Sequence, residues 1–442
     1  MQAAQTRQST SPRYKTRIVR FTTISPAALA TDCQPEKVIR PERKQWLSMK
    51  AVDDECAARV KPWKRPKIGG RLKLVLLIRS LTVGGAERQL VSLAKALDKK
   101  MFDITVVCLY GGGAFEEDLR TAGVPVISLG KKGRWEIFGF LKRLTAELRK
   151  LQPDILHSYM TFQNILAVLL KPALPATRIV WGVRASNVPR RAWLDKLSFR
   201  VEAMLSRFAD LIVFNSAAGR DYHLSAGFAA SRTEVIPNGV DPRFFAFEPE
   251  SRSIVRGTWK IPDDSFVIGL VGRLNPMKDH WTFLRAAIIF AGRRPDARFV
   301  CIGDGPAKYL HDLRSFADQL ALTDKVVWHP FLDDMPSAYK ALDICCSSSA
   351  YGEGTPNCVI EAMACGVPCV VTDVGDSRLI VNDLGIVVPP KNPEALADAW
   401  ATMARQITDK PCLRGLVQES VASRFSVSSL ATKTTHALLY AL

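Results

Sequence analysis

Apolar and polar positions alternate in two successive series along this chain, beginning at Leu72. In each series, short runs rich in aliphatic residues are separated by longer amphipathic stretches, a pattern typical of βαβ units and parallel sheets. Strands are predicted in the first series at residues 74–78, 104–109, 124–129, 155–157, 179–183 and 211–215, and in the second at residues 266–271, 298–302, 326–330, 344–347 and 368–372.

The segment VIPNGVDPRFF, residues 235–245, separates the two series, and its Pro, Asn and Gly are typical of a turn or linker. A chain of 442 residues also exceeds what one hydrophobic core usually serves. We therefore predict an α/β fold of two doubly wound Rossmann-like domains facing across a cleft, at residues 72–240 and 241–424. Ligands bind such sheets beyond the carboxyl ends of the strands, so site residues are expected directly after strands.

Glycines follow a predicted strand in each series. Gly84 and Gly85 precede a helix predicted to start near Ala86, and Gly303 stands in the sequence GDGP after the strand at 298–302. Glycine lets a ligand approach the backbone closely, and a helix N-terminus attracts anions. Such glycines also simply make turns, so these positions alone leave both interpretations open.

Arg273 and Lys278 lie in the loop after the predicted strand that ends at Val271. Two cations at the mouth of a cleft suit a diphosphate, because the arginine fork bonds two oxygens at once and lysine supplies a mobile point charge. Ordinary surface charges beside a helix start are the alternative interpretation of this loop taken alone.

The stretch SSSAYGEGTPNCVIEAMACGVPCVVTDVG, residues 347–375, predicts a loop followed by a helix over residues 356–365. Thr355 suits the N-cap, Pro356 the first helical position and Gly366 the residue just past the end. The free N–H groups at the start of this helix would then hold an anion in the cleft.

Two glutamates, Glu353 and Glu361, lie eight positions apart across this helix start. The neighbours of Glu361 make the helix apolar nearly all round, and a carboxylate in such a helix needs polar partners. Carboxylates accept hydrogen bonds from sugar hydroxyls. Glu361 is therefore predicted to bind a diol such as ribose, and Glu353 the hydroxyls beyond the phosphates. The sequence contains no Asp-x-Asp, so we expect no metal and no other cofactor.

Charge is distributed unevenly along the chain. The net charge is +18, and residues 1–71 hold 16 Lys and Arg against 6 Asp and Glu. This segment is predicted to be a disordered basic arm that suits anionic lipid, nucleic acid or no specific partner, and Met49 within it is an alternative start. Ten cysteines without a C-x-x-C pair indicate reduced thiols in a cytoplasmic protein. No apolar run approaches the ~18 residues of a membrane span.

Together these segments resemble glycosyltransferase family 4, retaining enzymes of the GT-B fold. The resemblance covers residues 72–440 and is carried by the E-x7-E block EGTPNCVIEAMACGVPCVVTDVG and by VGRLNPMKD, GDGP, GGAERQLVSLAKAL, PDILHSYM and VIPNGVD, in the family's order. It implies that Arg273 and Lys278 bind a donor diphosphate and that Glu361 binds the ribose. By the same resemblance, Glu353 and the backbone of the next four residues hold the transferred sugar and the β-phosphate: Gly354, Thr355, Pro356 and Asn357.

The resemblance further implies that His157 lines the sugar pocket, and Tyr159 stands where many relatives have a second histidine. The implied reaction is transfer of a sugar, with retention of configuration, from a nucleoside-diphosphate sugar to an acceptor hydroxyl. A uridine diphosphate sugar and a lipid-linked glycan of cell-surface polysaccharide or lipopolysaccharide synthesis are the expected substrates. Alternatives are a nucleotide-sugar epimerase, an inactive transferase-like subunit and a basic nucleic-acid-binding protein, although no nucleic-acid reading motif accompanies the basic arm.

Two segments of the first domain combine basic and apolar residues as an interfacial helix does. Residues 131–150 hold seven Lys and Arg, and residues 190–200, RRAWLDKLSFR, add a second such stretch. A core-packing helix with a basic outer face is the alternative for the first of them. We expect a peripheral protein at the cytoplasmic face of a membrane. Residues 425–442 resemble the family's closing helix, which would return to the first domain.

Overall fold

The computed structural model describes residues 70–131, 133, 136, 138–189, 192–229, 232–245 and 250–442. The basic arm predicted for residues 1–71, including Met49, thus lies outside the described residues except for its last two positions. Parts of the two segments predicted to contact a membrane also lie outside them, among them Trp135, Ile137, Arg190 and Arg191.

Seven strands in the described part of the chain form a first sheet, in which neighbouring strands run parallel. They are β1 (Leu72–Ile78), β2 (Phe102–Cys108), β3 (Val126–Ser128), β4 (Ile155–Tyr159), β5 (Arg178–Val183), β6 (Leu211–Phe214) and β7 (Thr233–Val235). Their order is β3-β2-β1-β4-β5-β6-β7. Inner strands such as β1, LKLVLLI, are apolar almost throughout because both faces of a parallel sheet are covered.

The helices described in this half are α1 (Gly85–Ala96), α2 (Glu116–Thr121), α3 (Phe138–Leu151), α4 (Thr161–Leu169), α5 (Trp193–Leu205) and α6 (Ala217–Ser225). They pack against two separate apolar clusters, one on each face of the sheet. Leu74 and Leu76 of β1 point into one cluster, and Val75 and Leu77 into the other, as the two-residue period of a strand requires.

A second parallel sheet follows, again counted within the described residues. Its strands are β8 (Phe266–Val271), β9 (Ala297–Ile302), β10 (Val326–His329), β11 (Ile344–Ser347), β12 (Cys369–Thr372) and β13 (Ile386–Val388), in the order β10-β9-β8-β11-β12-β13. The accompanying helices are α7 (Glu250–Thr258), α8 (His280–Arg293), α9 (Ala307–Gln319), α10 (Met335–Lys340), α11 (Asn357–Ala364), α12 (Ser377–Val381), α13 (Pro393–Asp409), α14 (Leu413–Arg424) and α15 (Val427–Ala441).

The predicted pair of doubly wound parallel sheets is confirmed, but β7 and β13 were not predicted. Each has three residues and lies at a sheet edge, only partly buried, so neither carries the apolar run that marks an inner strand. In each sheet the connections change direction beside the first strand, between β1 and β4 and between β8 and β11. The carboxyl ends of strands at such a switch point are where α/β sheets bind ligands.

The last helix, α15, packs on the first sheet although it follows the second in the chain. Leu430 and Leu438 are buried in the cluster that also contains β1 residues, and Arg178 Nη2 donates to the carbonyl of Leu442 at 3.0 Å. The chain passes from the first half to the second near Val240 and returns near Phe425. These two segments lie side by side, since the Val240 N–H donates to the carbonyl of Phe425 at 2.7 Å. Among the helices described, none combines the length and the apolarity that crossing a membrane requires.

The basic, apolar-rich segment at residues 131–150 forms α3, whose apolar face packs against the first sheet. Phe140, Leu144 and Leu148 are buried there. Most of the apolar pattern of α3 is therefore satisfied within the protein, as the core-packing alternative predicts, and its basic residues form the outer face. Phe138, at the helix start, is an exposed exception.

Candidate active site

Glu353 lies in the loop between β11 and α11, residues 348–356, which we call the Glu353 loop. Lys278 Nζ is 2.5 Å from Glu353 Oε1, and Ser349 Oγ donates to the same oxygen at 2.6 Å. Burial acts to lower the pKa of Lys278, but the negative charge of Glu353 and its hydrogen bond outweigh burial and raise that pKa above its usual range. Lys278 therefore carries a permanent positive charge. Its ammonium group is largely buried and is paired with one carboxylate.

The loops after β8 and β9 lie against each other beside Lys278. Gly303 has a φ of +150°, and a side chain there would collide with the carbonyl of Gly272. A Cβ on Gly272 would lie 2.9 Å from Lys278 Cε. Arg273 is exposed and has no ion pair or hydrogen bond among the described residues. The structure thus brings Gly303 and Lys278 together and leaves the Arg273 guanidinium accessible to a ligand.

Glu361, on α11, is held from both halves of the molecule. Arg88 Nη1 of α1 lies 3.0 Å from Glu361 Oε1, and the Tyr339 hydroxyl donates to Oε2 at 2.9 Å. Burial and the charge of Glu361 raise the pKa of Tyr339 well above its usual value, so this hydroxyl remains a donor. The sequence predicted polar partners for Glu361 because α11 is apolar around it, and Arg88 and Tyr339 are those partners. Arg88 lies on α1, the helix that begins at Gly85.

The predicted N-cap of α11 is wrong, whereas the predicted C-terminal glycine is confirmed. Thr355 does not cap it: the Thr355 hydroxyl donates instead to the backbone carbonyl of Asn215, in the first half. Pro356 takes the cap position, without a side-chain hydrogen bond, and α11 begins at Asn357. The hydroxyl is drawn away because an acceptor from the other half lies within its reach. Gly366 has a φ of +73°, the left-handed conformation expected just past a helix end.

Asn357 joins the start of α11 to the first half. Asn238 Nδ2 donates to Asn357 Oδ1 at 2.7 Å, and Asn357 Nδ2 donates to the carbonyl of Gly85 at 3.4 Å. Gly85 therefore lies at the start of α11, next to Gly84, which is the extended residue preceding α1. The two helix N-termini that the sequence singled out, those of α1 and α11, approach each other across the cleft.

The Glu353 loop is held by loops of the first half. The Ser186 hydroxyl donates to the backbone carbonyl of Glu353, and the Gly352 N–H donates to Asn187 Oδ1 at 2.9 Å. Gly354 packs against Asn215, since a Cβ there would lie 2.6 Å from Asn215 Oδ1. A larger residue at position 354 would have to displace the Asn215 side chain.

His157 is fully buried in the middle of β4. Burial, and then the positive charge of Arg184, lower the pKa of His157 to about 3, so its imidazole is neutral. Neither ring nitrogen has a hydrogen-bond partner among the described residues. Arg184 stacks on the Tyr159 ring at 4.8 Å and donates to Asn238 Oδ1 at 3.3 Å. His157 is thus linked through Arg184 and Asn238 to the start of α11.

Sequence reasoning missed the polar residues that join the two halves at this site. They are Arg88, Ser186, Asn187, Asn215 and Asn238 of the first half. Tyr339, which holds Glu361 from within the second half, was also missed. Arg88 had a signal, since it is a cation three positions after the paired glycines. Ser186, Asn187 and Asn215 follow strands β5 and β6, where site residues were expected, and Asn238 lies in VIPNGVD, but their side chains were not singled out. Tyr339 had no such signal.

His280, at the start of α8, gives a test of how this region is packed. Its ring is buried, both nitrogens lack partners among the described residues, and burial followed by the charge of Lys278 lowers its pKa to about 3. The unfolded chain binds a proton near pH 6.5, so stability is complete above that pH and is lost as the pH falls toward 3. From pH 7 to pH 5.5 this histidine should contribute a loss of about 1.3 kcal/mol in the free energy of unfolding.

We therefore expect His280→Leu to show a correspondingly smaller loss of stability over this pH interval than the wild type, measured by urea unfolding. Parallel losses in the two proteins would show that the His280 imidazole takes up its proton in the folded state.

Comparisons with known proteins match both halves of the chain. Residues 83–244 match the family described as Glycosyltransferase Family 4, and residues 265–406 match the family described as Glycosyl transferases group 1. The putative glycosyltransferase EpsF of Bacillus subtilis is 23% identical over 356 residues, which are 79% of this chain and 91% of EpsF. An Escherichia coli UDP-Gal:alpha-D-GlcNAc-diphosphoundecaprenol alpha-1,3-galactosyltransferase is 26% identical over 68% of this chain and 79% of its own length.

Solved structures share the fold. The crystal structure of Anabaena HepE in complex with UDP-glucose superposes with a TM-score of 0.74 at 23% identity, covering 83% of this chain and 99% of HepE. Sucrose-phosphate synthase from Thermosynechococcus elongatus superposes with a TM-score of 0.70 at 18% identity, over 83% of this chain and 98% of the synthase. Both likenesses support the GT-B arrangement of two doubly wound sheets.

Proposed function

We propose a function on the premise that this chain belongs to glycosyltransferase family 4 and transfers a sugar from a nucleotide sugar. In this proposal it is a retaining enzyme that moves the sugar from a uridine diphosphate sugar to a lipid-linked glycan at a membrane surface. Transferase activity sets aside the epimerase and nucleic-acid-binding alternatives. The observation that carries the proposal is the pairing of Lys278 with Glu353 in the loops beyond β8 and β11, followed by Glu361 on the helix to which the Glu353 loop leads.

Two named relatives support the finer parts of the proposal. HepE has been crystallised with UDP and with UDP-glucose, which supports uridine as the base. The Escherichia coli relative uses UDP-galactose and acts on a sugar carried by diphosphoundecaprenol, which supports a lipid-linked acceptor. We accordingly place the protein in the synthesis of a cell-surface glycan, as a peripheral protein on the cytoplasmic face of the membrane.

Each buried charge of the site pairs with a charge of opposite sign. Lys278 is neutralised by Glu353, and Glu361 by Arg88, because an unpaired charge in these positions would be costly. A nucleotide sugar offers both pairs new partners. Its diphosphate would take the ammonium of Lys278 and the exposed Arg273, while its ribose diol would take an oxygen of Glu361. The Glu353 carboxylate would then turn to the hydroxyls of the sugar.

The bond between the sugar C1 and the β-phosphate oxygen breaks in this reaction, and negative charge develops on the diphosphate. Lys278, Arg273 and the uncapped N–H groups of α11 are the groups placed to stabilise that charge. The acceptor oxygen bonds to C1 on the face that the diphosphate leaves, and its proton passes to the departing phosphate oxygen. Glu353 orients the sugar hydroxyls in this scheme rather than attacking C1.

His157 and Arg184 would hold polar groups of the substrates on the side of the first half. The unpartnered ring nitrogens of His157 and the unpartnered Oδ1 of Asn215 each provide a hydrogen-bonding atom that the described residues leave free. A neutral imidazole both donates and accepts, which suits a sugar hydroxyl. No acid or base of unusual strength is required there, because the departing phosphate takes the acceptor proton.

The proposal is tested by pairing a donor screen with one substitution. We expect the protein to be stabilised against heat by UDP-sugars more than by GDP-sugars, and to form a glycoside of unchanged anomeric configuration on a diphosphate-lipid acceptor. Glu353→Gln should still be stabilised by UDP but lower kcat by about a hundredfold, because the sugar is no longer oriented.

The exposed Glu419, on α14, provides the matched control, and Glu419→Gln should keep wild-type turnover. Nearly full turnover in Glu353→Gln would remove Glu353 from the reaction, and an inverted product would rule out the same-face mechanism.

A further inference from the structure

Helix α5 presents apolar side chains to solvent along one face. Trp193 is 70% exposed, Leu197 48% and Met204 54%, and these positions recur at four and seven residues along the helix. Phe208, four positions beyond Met204 in a short turn, is 53% exposed and continues the same stripe. Four large apolar residues at helical spacing on one exposed face are unusual for a protein surface that meets only water.

The buried side of α5 combines apolar and polar residues. Phe199 and Leu205 pack there against the apolar cluster of the first half. Glu202 is buried there and accepts a hydrogen bond from Asn164 Nδ2 of α4 at 3.0 Å. Asn164 Oδ1 in turn accepts from the Ser158 hydroxyl of β4 at 2.8 Å. These buried contacts fix the orientation of α5, and its remaining large apolar side chains face outward.

Helix α4 packs beside α5 and extends the apolar surface with exposed Phe162 and Leu169. The α4–α5 face is defined here by the exposed residues Phe162, Leu169, Trp193, Leu194, Leu197, Met204 and Phe208. Together they form an apolar surface with no covering element among the described residues.

Basic side chains border this surface. Lys196, Arg200 and Arg207 are exposed along α5 and the turn after it. Arg207 also lines a cavity of about 320 Å³ with Phe208, Lys171 and Arg232, and the Asp210 carboxylate in that cavity is already paired with Lys171 at 2.8 Å. Lysine is depleted from protein–protein interfaces, whereas Lys and Arg beside Trp and Leu are typical of a helix lying in the headgroup region of an anionic bilayer.

The α4–α5 face also follows the candidate active site closely along the chain. The loop that leads into α5 contains Ser186 and Asn187, which contact Glu353 and Gly352. Only residues 188–192 separate these contacts from Trp193. A surface in this place would bring a membrane next to the loop that holds the sugar of the donor.

We propose that the α4–α5 face docks this protein on an anionic lipid bilayer, with Trp193, Leu194 and Leu197 inserted among the headgroups and the neighbouring Lys and Arg bound to lipid phosphates. The proposal rests on the proposed function for the purpose of docking, which is access to a lipid-linked acceptor. It also assigns the membrane contact to α5, whereas the apolar side of α3 is taken up by the core.

The test uses the full chain and vesicles of phosphatidylcholine with phosphatidylglycerol. We expect Leu194→Ser combined with Leu197→Ser to weaken vesicle binding about tenfold or more, because two half-exposed leucines lose their burial in lipid. Leu379→Ser combined with Leu416→Ser is the matched control, since these leucines are 54% and 47% exposed on the second half, and it should bind as the wild type does. Binding is compared at about 0.5 M salt as well, where contacts made by charge alone are screened.

Insertion is measured with vesicles whose acyl chains carry bromine, which quenches tryptophan at the lipid surface. The wild type should be quenched, and Trp193→Phe should lose most of that quenching while still binding. Equal quenching in both proteins, or equal vesicle binding by the α5 variant and the control, would overturn the proposal. A third outcome would also overturn the proposal: the wild type is a dimer that binds no vesicles, and the α5 variant is a monomer. The α4–α5 face would then join two copies of this chain.

Stabilisation by UDP separates this proposal from the proposed function. The α5 variant should keep wild-type thermal stabilisation by UDP and lose transfer only to acceptors embedded in vesicles. Vesicle binding through α5 by a protein that transfers no sugar would leave docking supported and overturn the proposed function alone.

Discussion

Lys278→Met is expected to lower kcat for sugar transfer by about a hundredfold to a thousandfold. Methionine keeps the length and volume of the side chain but removes the charge that lies 2.5 Å from Glu353. The buried ammonium is positioned before the reaction, so it can stabilise the departing diphosphate without rearrangement of solvent. Its raised pKa means that this charge is present throughout the pH range in which the protein is folded. The measurement is steady-state transfer with the best UDP-sugar of the donor screen.

Loss of folding must be separated from loss of chemistry in this variant, because Glu353 loses its cation. Thermal unfolding and stabilisation by UDP are therefore measured on the same samples. Lys410→Ala, at an exposed position between α13 and α14, should retain wild-type kcat. A folded Lys278→Met protein with more than about a tenth of the wild-type kcat would show that Lys278 does not stabilise the transition state.

Asp343→Asn is expected to lower the free energy of unfolding by about 3–5 kcal/mol. Asp343 is a buried carboxylate before β11 that accepts from Arg252 at 2.8 Å, from Arg256 at 2.9 Å and from Arg414 at 3.1 Å. The Arg256 side chain is 0% exposed, so it cannot turn to water when the carboxylate is lost. Asparagine has the same shape but leaves three guanidinium groups without an anion. Urea unfolding, followed by circular dichroism, measures the change.

The pH dependence of this effect has a definite sign. Burial acts to raise the pKa of Asp343, but Arg252, the N–H of Val267 and Arg256 outweigh burial and lower it. The stabilisation is therefore complete above the ordinary aspartate value of about 4 and is lost as the pH falls through the lower folded value. Wild type and Asp343→Asn should differ fully at pH 7 and converge in acid.

An exposed ion pair of the same half gives the control. Arg293 Nη1 lies 2.5 Å from Asp398 Oδ1, closer than any pair at Asp343, but these side chains are 51% and 65% exposed. Asp398→Asn should cost less than about 1 kcal/mol, because water and salt replace the lost partner. Similar losses in the two variants would mean that burial does not decide the strength of the Asp343 cluster.

The inner strands and most residues of the candidate site could be predicted from local sequence. Inner strands such as β8, FVIGLV, are continuous apolar runs because they are covered on both faces, and this pattern survives without any knowledge of the partner strands. Glu361 could be predicted to have polar partners, because α11 is apolar around it. The edge strands β7 and β13 could not be predicted, since three half-exposed residues leave no period to recognise.

Long-range partners could not be predicted. Arg88 meets Glu361 across 273 positions of sequence, and no property of either residue alone selects the other. The Thr355 hydroxyl illustrates the same limit. Threonine is a good N-cap residue, but this hydroxyl donates a hydrogen bond to a carbonyl of the other half instead. The amphipathic patterns at residues 131–150 and 190–200 looked alike in sequence. In their described parts, the apolar side of α3 packs into the core, whereas Trp193, Leu194 and Leu197 face outward.

Short-range sequence was enough to predict the two doubly wound sheets and the glutamates, cations and glycines near the ends of the strands, because strand burial and helix starts depend on neighbours a few residues away. The charge pairs across the cleft, the hydrogen bond of the Thr355 hydroxyl and the exposure of the apolar face of α5 were set by tertiary contacts. Those outcomes depend on groups brought together from distant parts of the chain, where burial makes each unpaired charge or polar atom costly and so selects one arrangement.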